Sequence, residues 1–109
     1  MTKTVYNIDE IKEKLEPIFR KEPIKKAILF GSYAKGKQRP NSDVDIVIDS
    51  EGKIRGFNFF GVLGDVAEAL DKQVDLIEAY EIIEGGRVQC EIEETGVLIY
   101  ERGRGKLKI

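Results

Sequence analysis

The 109-residue sequence contains no histidine and a single cysteine, Cys90. Without histidine there is no Ser-His-Asp triad, no Cys-His pair and no histidine-ligated zinc. One cysteine excludes an internal disulfide and a cysteine-rich metal cluster, and it fits a reducing compartment. No apolar run is long enough to span a membrane, and Met1 to Tyr6 lacks the apolar stretch of a signal peptide. A cytoplasmic protein with no membrane contact is the expectation. A surplus of positive charge is missing too. Eighteen Lys and Arg stand against 20 Asp and Glu, a net charge of −2, whereas a broad nucleic-acid binder is normally basic. No stable nucleic-acid binding is expected. What remains for an enzyme is chemistry by carboxylates, hydroxyls, lysines or a metal held by oxygen.

With 41% hydrophobic and 35% charged residues, the chain can build one small core and no second one. Ile8, Ile11, Leu15 and Ile18 fall at three- and four-residue spacings and predict a first helix. Asn7 is placed to cap it, with Glu10 at the reciprocal capping-box position. Pro17 is expected to kink or interrupt it. Lys26 to Phe30 reads as a short buried strand ended by Gly31-Ser32, and Tyr33 to Lys35 as a turn or two of helix closed by Gly36. A polar turn over Lys37 to Ser42 leads into a strand, Asp43 to Asp49. There Val44, Ile46 and Ile48 point one way and Asp43, Asp45, Val47 and Asp49 the other.

A loop over Glu51 to Gly56 precedes a helix from Phe57 to Leu70, with Phe59, Phe60, Leu63, Val66, Ala67 and Leu70 inward. Gly61 and Gly64 weaken that helix or allow close packing. Gln73 to Glu78 reads as a strand. Ile82 to Glu94 reads as a helix, with Ile83, Val88 and Ile92 toward the core, and Val97 to Tyr100 as a last strand. The order α-β-α-β-α-β-α-β makes this an α/β (α+β) chain, a small sheet with helices packed on it. One domain over residues 1–101 is expected, followed by a basic, Gly-punctuated, mobile tail over 102–109.

The chemistry concentrates in two neighbouring pieces, Leu29-Phe-Gly-Ser-Tyr-Ala-Lys-Gly36 and Ser42-Asp-Val-Asp-Ile46. Aspartates at i and i+2 in a strand project from one face, about 7 Å apart along the chain, so Asp43 and Asp45 can converge on one hard cation. Carboxylate oxygens suit Mg²⁺ or Mn²⁺, and Mg²⁺ is usually shared with substrate phosphates. Asp75, a charge inside the apolar run Val74-Asp-Leu-Ile77, is the candidate third carboxylate. The plainer reading of an Asp-x-Asp is a strand end facing water, and of Gly-Ser a capped turn. Together they suggest more. Gly31 lets backbone approach a ligand, and Ser32 at a helix start offers a hydroxyl and backbone N–H groups to an anion.

Gly31-Ser32, ten residues, then Asp43-Val44-Asp45, following a strand, resembles the signature of the nucleotidyltransferase superfamily with the polymerase-beta fold. More narrowly, the chain resembles the minimal nucleotidyltransferase (MNT) antitoxins of HEPN/MNT toxin–antitoxin pairs, over nearly its whole length. The resemblance implies a small mixed sheet and nucleotidyl transfer. Asp43 and Asp45 would hold two Mg²⁺ ions, Gly31 and Ser32 would hold the β- and γ-phosphates of ATP, and Asp75 would bind the metal nearer the acceptor and help deprotonate its hydroxyl. Lys35 stands where many members have Arg, which keeps the charge but loses the bidentate fork. The implied reaction moves AMP from ATP to a tyrosine of a HEPN-type ribonuclease toxin, with which the chain would assemble. The alternatives are an antitoxin that neutralises by binding alone, and transfer to a small molecule. The short chain disfavours the latter, since no segment is left for a substrate domain.

Other features have plain readings. Asp65 to Glu94 carries ten acidic and two basic side chains, a solvated face or a surface for a basic partner. At least one of Phe57, Phe59 and Phe60 should be exposed. Cys90 is expected to be a small buried hydrophobe, Tyr33 to pack in the core unless it touches nucleotide, and Asp49 to end its strand.

Overall fold

The computed structural model describes residues 5–102. Helix α1 (Ile8–Arg20) starts where Asn7 Oδ1 accepts from the Glu10 N–H and Glu10 Oε1 accepts from the Asn7 N–H, both at 2.8 Å. This reciprocal cap satisfies two donors that a helix start leaves open, worth about 1 kcal/mol. Pro17 does not interrupt the helix, which runs on to Arg20 with the proline exposed in its last turns. Strand β1 (Lys26–Phe30), the short helix α2 (Ser32–Lys35), strand β2 (Val44–Asp49), helix α3 (Phe57–Leu70) and strand β3 (Val74–Glu78) follow in the expected order.

The next segment departs from expectation. In place of one helix from Ile82, a single 3-10 turn (Ala79–Glu81) and a Gly85-Gly86 turn precede a shorter helix α4 (Arg87–Thr95). Gly85 has φ +78°, a conformation that ends any helix begun before it. Strand β4 (Val97–Glu101) closes the chain's sheet.

The sheet order is β3-β2-β1-β4. β1 runs antiparallel to both β2 and β4, while β2 and β3 are parallel and joined through α3, so the sheet is mixed. Alternation gives it two unlike faces. Ala27, Leu29, Val44, Ile46, Ile48, Leu76 and Ile99 point toward α1 and α3 and form the core with Ile11, Leu15, Phe19, Val62, Val66 and Leu70. The residues between them, Ile28, Phe30, Asp45, Val47, Asp75 and Ile77, belong to the other face. Helix α4, which buries none of its residues fully, covers that face only in part.

Details of the core differ from the periodicity reading. In α3, Val62 is buried while Phe57 and Phe60 are 93% and 65% exposed. Gly61 and Gly64 are exposed and a Cβ on either would touch nothing, so neither serves close packing. Tyr33 is buried in the core; Ile83 and Cys90 are exposed. The expected tail lies outside the described residues except for Arg102. Its N–H donates to Lys25 O at 2.8 Å. Its guanidinium donates to the carbonyls of Phe19, Arg20, Glu22 and Ile24, capping the end of α1.

Candidate active site

The site forms where β1 ends and β2 and β3 begin. Phe30 is the register partner of Asp45, and Asp45 that of Asp75, so three adjacent strands bring the Gly-Ser turn and two carboxylates into line. Gly31 is constrained twice. Its φ of +78° and ψ of −151° are open only to glycine, and a Cβ there would collide with Asp45 Oδ2. Ser32 then opens α2, and Gly36 at φ +74° closes it one turn later, leaving Lys35 exposed at the rim.

Asp43 stands just before β2, on a loop held from several sides. The Arg39 N–H donates to Ser42 Oγ at 2.8 Å, and the Val44 N–H to Gln73 O at 3.1 Å. Lys72, buried to 2% exposure, donates from Nζ to Pro40 O at 2.7 Å. A buried ammonium is costly to leave unbonded, so this contact fixes the turn that delivers Asp43.

An open cleft of about 320 Å³ results, with Phe30 and Val88 among its lining. Gly31, Ser32, Lys35, Asp43, Asp45 and Asp75, the six residues singled out from sequence, all line it. So do Lys37, Ser42, Arg87 and Glu91, which sequence reasoning did not select. Arg87 and Glu91 face each other at 3.4 Å, one turn apart on α4. Their i,i+4 spacing was the available signal, but a helix begun at Ile82 gave no reason to bring it over the sheet. Thr95 is a further member: its Oγ1 accepts from the Gly31 N–H at 3.2 Å and donates to Glu91 O at 2.8 Å, tying the end of α4 to the Gly-Ser turn.

Carboxylates of Asp43, Asp45, Asp75 and Glu91 share the lining with Lys35, Lys37 and Arg87, so the two signs of charge meet in the cleft. Asp45 is half-buried, and its carboxyl is pushed up to about 6. Burial is the first cause; Asp75, Asp43 and Glu91 add repulsion, and Arg87 opposes them. Among the described residues no three acidic or cysteine side chains converge as a ready-made ion cage. Asp43, Asp45 and Asp75 share the cleft without closing on one point. Hard oxygen donors of this kind suit Mg²⁺, which commonly completes its shell with water and substrate phosphate. Hydroxyl, lysines and carboxylates around one opening can bind a metal-bearing polyphosphate and take up a proton. No helix among the described residues is long and apolar enough to cross a membrane.

The chain is similar in sequence and fold to nucleotidyltransferases. The family model described as polymerase beta nucleotidyltransferase matches residues 13–105. A Methanocaldococcus jannaschii protein named as a protein adenylyltransferase is 40% identical over 72 residues, 65% of this chain and 76% of the relative. A second of that name and organism is 36% identical over 101 residues, 90% of this chain and 98% of the relative. A crystal structure of a toxin–antitoxin with AMP-PNP contains a chain of the same fold, with TM-score 0.69 and 25% identity, over 85% of this chain and 75% of that one. The chain therefore belongs to the polymerase beta nucleotidyltransferase family.

Proposed function

We propose that this chain is an Mg²⁺-dependent protein adenylyltransferase that moves AMP from ATP to a tyrosine hydroxyl of a HEPN-type ribonuclease toxin, and thereby acts as its antitoxin. The observation that carries the reading is the meeting of the Gly31-Ser32 turn with Asp43, Asp45 and Asp75 around one uncovered cleft. The relatives named as protein adenylyltransferases and the toxin–antitoxin neighbour with AMP-PNP support the substrate and partner classes. An ATP-using site, with its one thiol exposed, fits a reducing cytoplasm.

The residues divide the work. Gly31 and Ser32 receive the β- and γ-phosphates, Ser32 through its hydroxyl, while Lys35 and Lys37 offset the charge of the triphosphate. Asp43 and Asp45 would hold Mg²⁺, with Asp75 toward the acceptor. Burial and then repulsion from Asp75, Asp43 and Glu91 raise Asp45, and a cation would relieve the repulsion. Bound Mg²⁺ supplies Lewis-acid stabilisation of the entering and leaving oxygens. Asp75 takes the acceptor proton as the acceptor oxygen attacks the α-phosphorus. The bond from that phosphorus to the bridging oxygen breaks, and pyrophosphate leaves. No step calls for histidine. The cleft is open among the described residues, so a protein acceptor can reach it with its own surface.

The test is to supply ATP labelled at the α- or the γ-phosphorus to the chain, Mg²⁺ and its HEPN-type partner. Label from the α position on the partner, with none from the γ position, is expected. Label from the γ position would make the reaction phosphoryl transfer, and no label with toxicity still suppressed would make neutralisation a matter of binding.

A further inference from the structure

A second opening lies against the first. Ile77, Ile82, Ile83 and Val88 line an apolar groove of about 340 Å³ that shares Arg87 and Val88 with the carboxylate cleft. It sits beside β3, the open edge of the sheet, on the face that α4 leaves incompletely covered. Ile83 is 76% exposed, although the segment holding it is not loose. The Gly86 N–H donates to Ile83 O at 3.0 Å, and the Gly85 N–H donates to Gln89 Oε1 at 2.5 Å. Gly85 takes φ +78°, and a Cβ on Gly86 would press on Ile83 O at 3.1 Å. Two glycines and two hydrogen bonds thus hold an apolar side chain out in water beside a catalytic cleft.

The surrounding charge narrows the occupant. Glu81 lines the groove, Glu84 is exposed beside it, and Arg87, the one cation lining it, is engaged with Glu91. With Arg87 shared by Glu91, Glu81 and Glu84 leave a mainly apolar groove whose excess charge is negative, a poor seat for a polyphosphate or RNA. A second copy seated symmetrically would set the same acidic rim against itself. A polypeptide with an apolar side chain flanked by basic residues fits both the lining and the rim.

We propose that this groove docks the acceptor protein, seating an apolar side chain from a basic segment next to the modified hydroxyl and so holding that hydroxyl over Asp75. The proposal rests on the transfer reading above. It assigns no chemistry to the groove; Ile83 acts through position, and its loss should show in KM for the acceptor.

The test uses the full chain, its HEPN-type partner and ATP, with the variants Ile83→Asp and Ile83→Leu. Ile83 is exposed, so neither should disturb folding. Ile83→Asp is expected to raise KM for the partner about tenfold, the size of a lost interface anchor, with ATP affinity unchanged, and Ile83→Leu to restore it. Charge reversal by Glu81→Lys with Glu84→Lys should raise KM as well. If wild type transfers AMP and Ile83→Asp keeps its KM within twofold, the docking proposal is overturned and the transfer reading stands. If wild type transfers nothing, the transfer reading fails, and affinity measured without ATP decides the groove. Weakening by about tenfold in Ile83→Asp supports it, and unchanged affinity overturns it. A wild-type dimer that Ile83→Asp turns into a monomer would reassign the groove to a second copy and overturn the proposal.

Discussion

The two faces of the sheet are built for different ends. On one, Leu29, Val44, Ile46 and Ile48 are wholly buried beneath α1 and α3, and every strand contributes. On the other, Asp45 and Asp75 take alternate positions of the same strands, and α4 buries none of its residues fully. The first face supplies most of the hydrophobic stabilisation. The second gathers like charges at some cost and stays open to receive a ligand. A strand's two-residue period lets both coexist along β2 without either intruding on the other. Most mutations should accordingly affect either stability or transfer, and the informative ones are those that affect both.

The largest expected effect is on the open face. Asp43→Asn with Asp45→Asn should lower AMP transfer at least about a thousandfold, since it removes the oxygen charge that holds the metal. Circular dichroism should show an intact fold; an unfolded variant would mean that the open face also carries the structure. On the covered face, Ile46→Ala should cost about 2–5 kcal/mol in urea unfolding. Val88→Ala on α4 should cost less than about 1 kcal/mol. Comparable losses at the two sites would break the division between the faces.

Gly31→Ala sits at the boundary. With φ at +78° and a Cβ driven into Asp45, it should destabilise the fold by about 1–3 kcal/mol and lower ATP affinity together. A loss of affinity at full stability would mean that the turn is shaped for ligand alone.

The smallest effect runs in the opposite direction. Asp45 titrates near 6 in the folded chain against an ordinary value of 3.8, so the folded state holds its proton more tightly than the unfolded one. Below about pH 4 both states are protonated and the carboxyl carries no penalty. As pH rises from there through about 6, the unfolded chain is favoured by ionisation and the fold loses stability. Asp45→Asn should therefore stabilise the protein at pH 7 by about 1 kcal/mol after solvent screening, with the gain fading in acid. Melting curves of the Mg²⁺-free protein at pH 4 and pH 7 read this directly.

Much of this was legible from residue order. The Asn7–Glu10 cap, the bounds of β1 and α3, and the alternation of β2 follow from local rules, because capping, periodicity and glycine punctuation act over a few residues. The six residues expected at the site share one cleft for the same reason: the Gly-Ser turn and the Asp-x-Asp strand are neighbours in sequence and in register. What local rules missed depends on partners far along the chain. Phe60 looks like core by spacing, yet Val62 takes the inward place once α3 docks on α1. The stretch from Ile82 to Glu94 has helical spacing, but the Gly85-Gly86 turn divides it. That division leaves Ile83 and Cys90 exposed, turns Arg87 and Glu91 toward the cleft and brings Thr95 to the Gly31 N–H. The bonds of Lys72 to Pro40 and of Arg102 to the end of α1 join segments distant in sequence.

The most direct test of the account is the intact mass of the HEPN-type partner after incubation with this chain, ATP and Mg²⁺. The open face with Asp43, Asp45 and Asp75 predicts a gain of one or more AMP units, lost with Asp43→Asn plus Asp45→Asn. An unchanged mass in a stable complex that still suppresses toxicity would contradict it, leaving the carboxylate face as a binding surface.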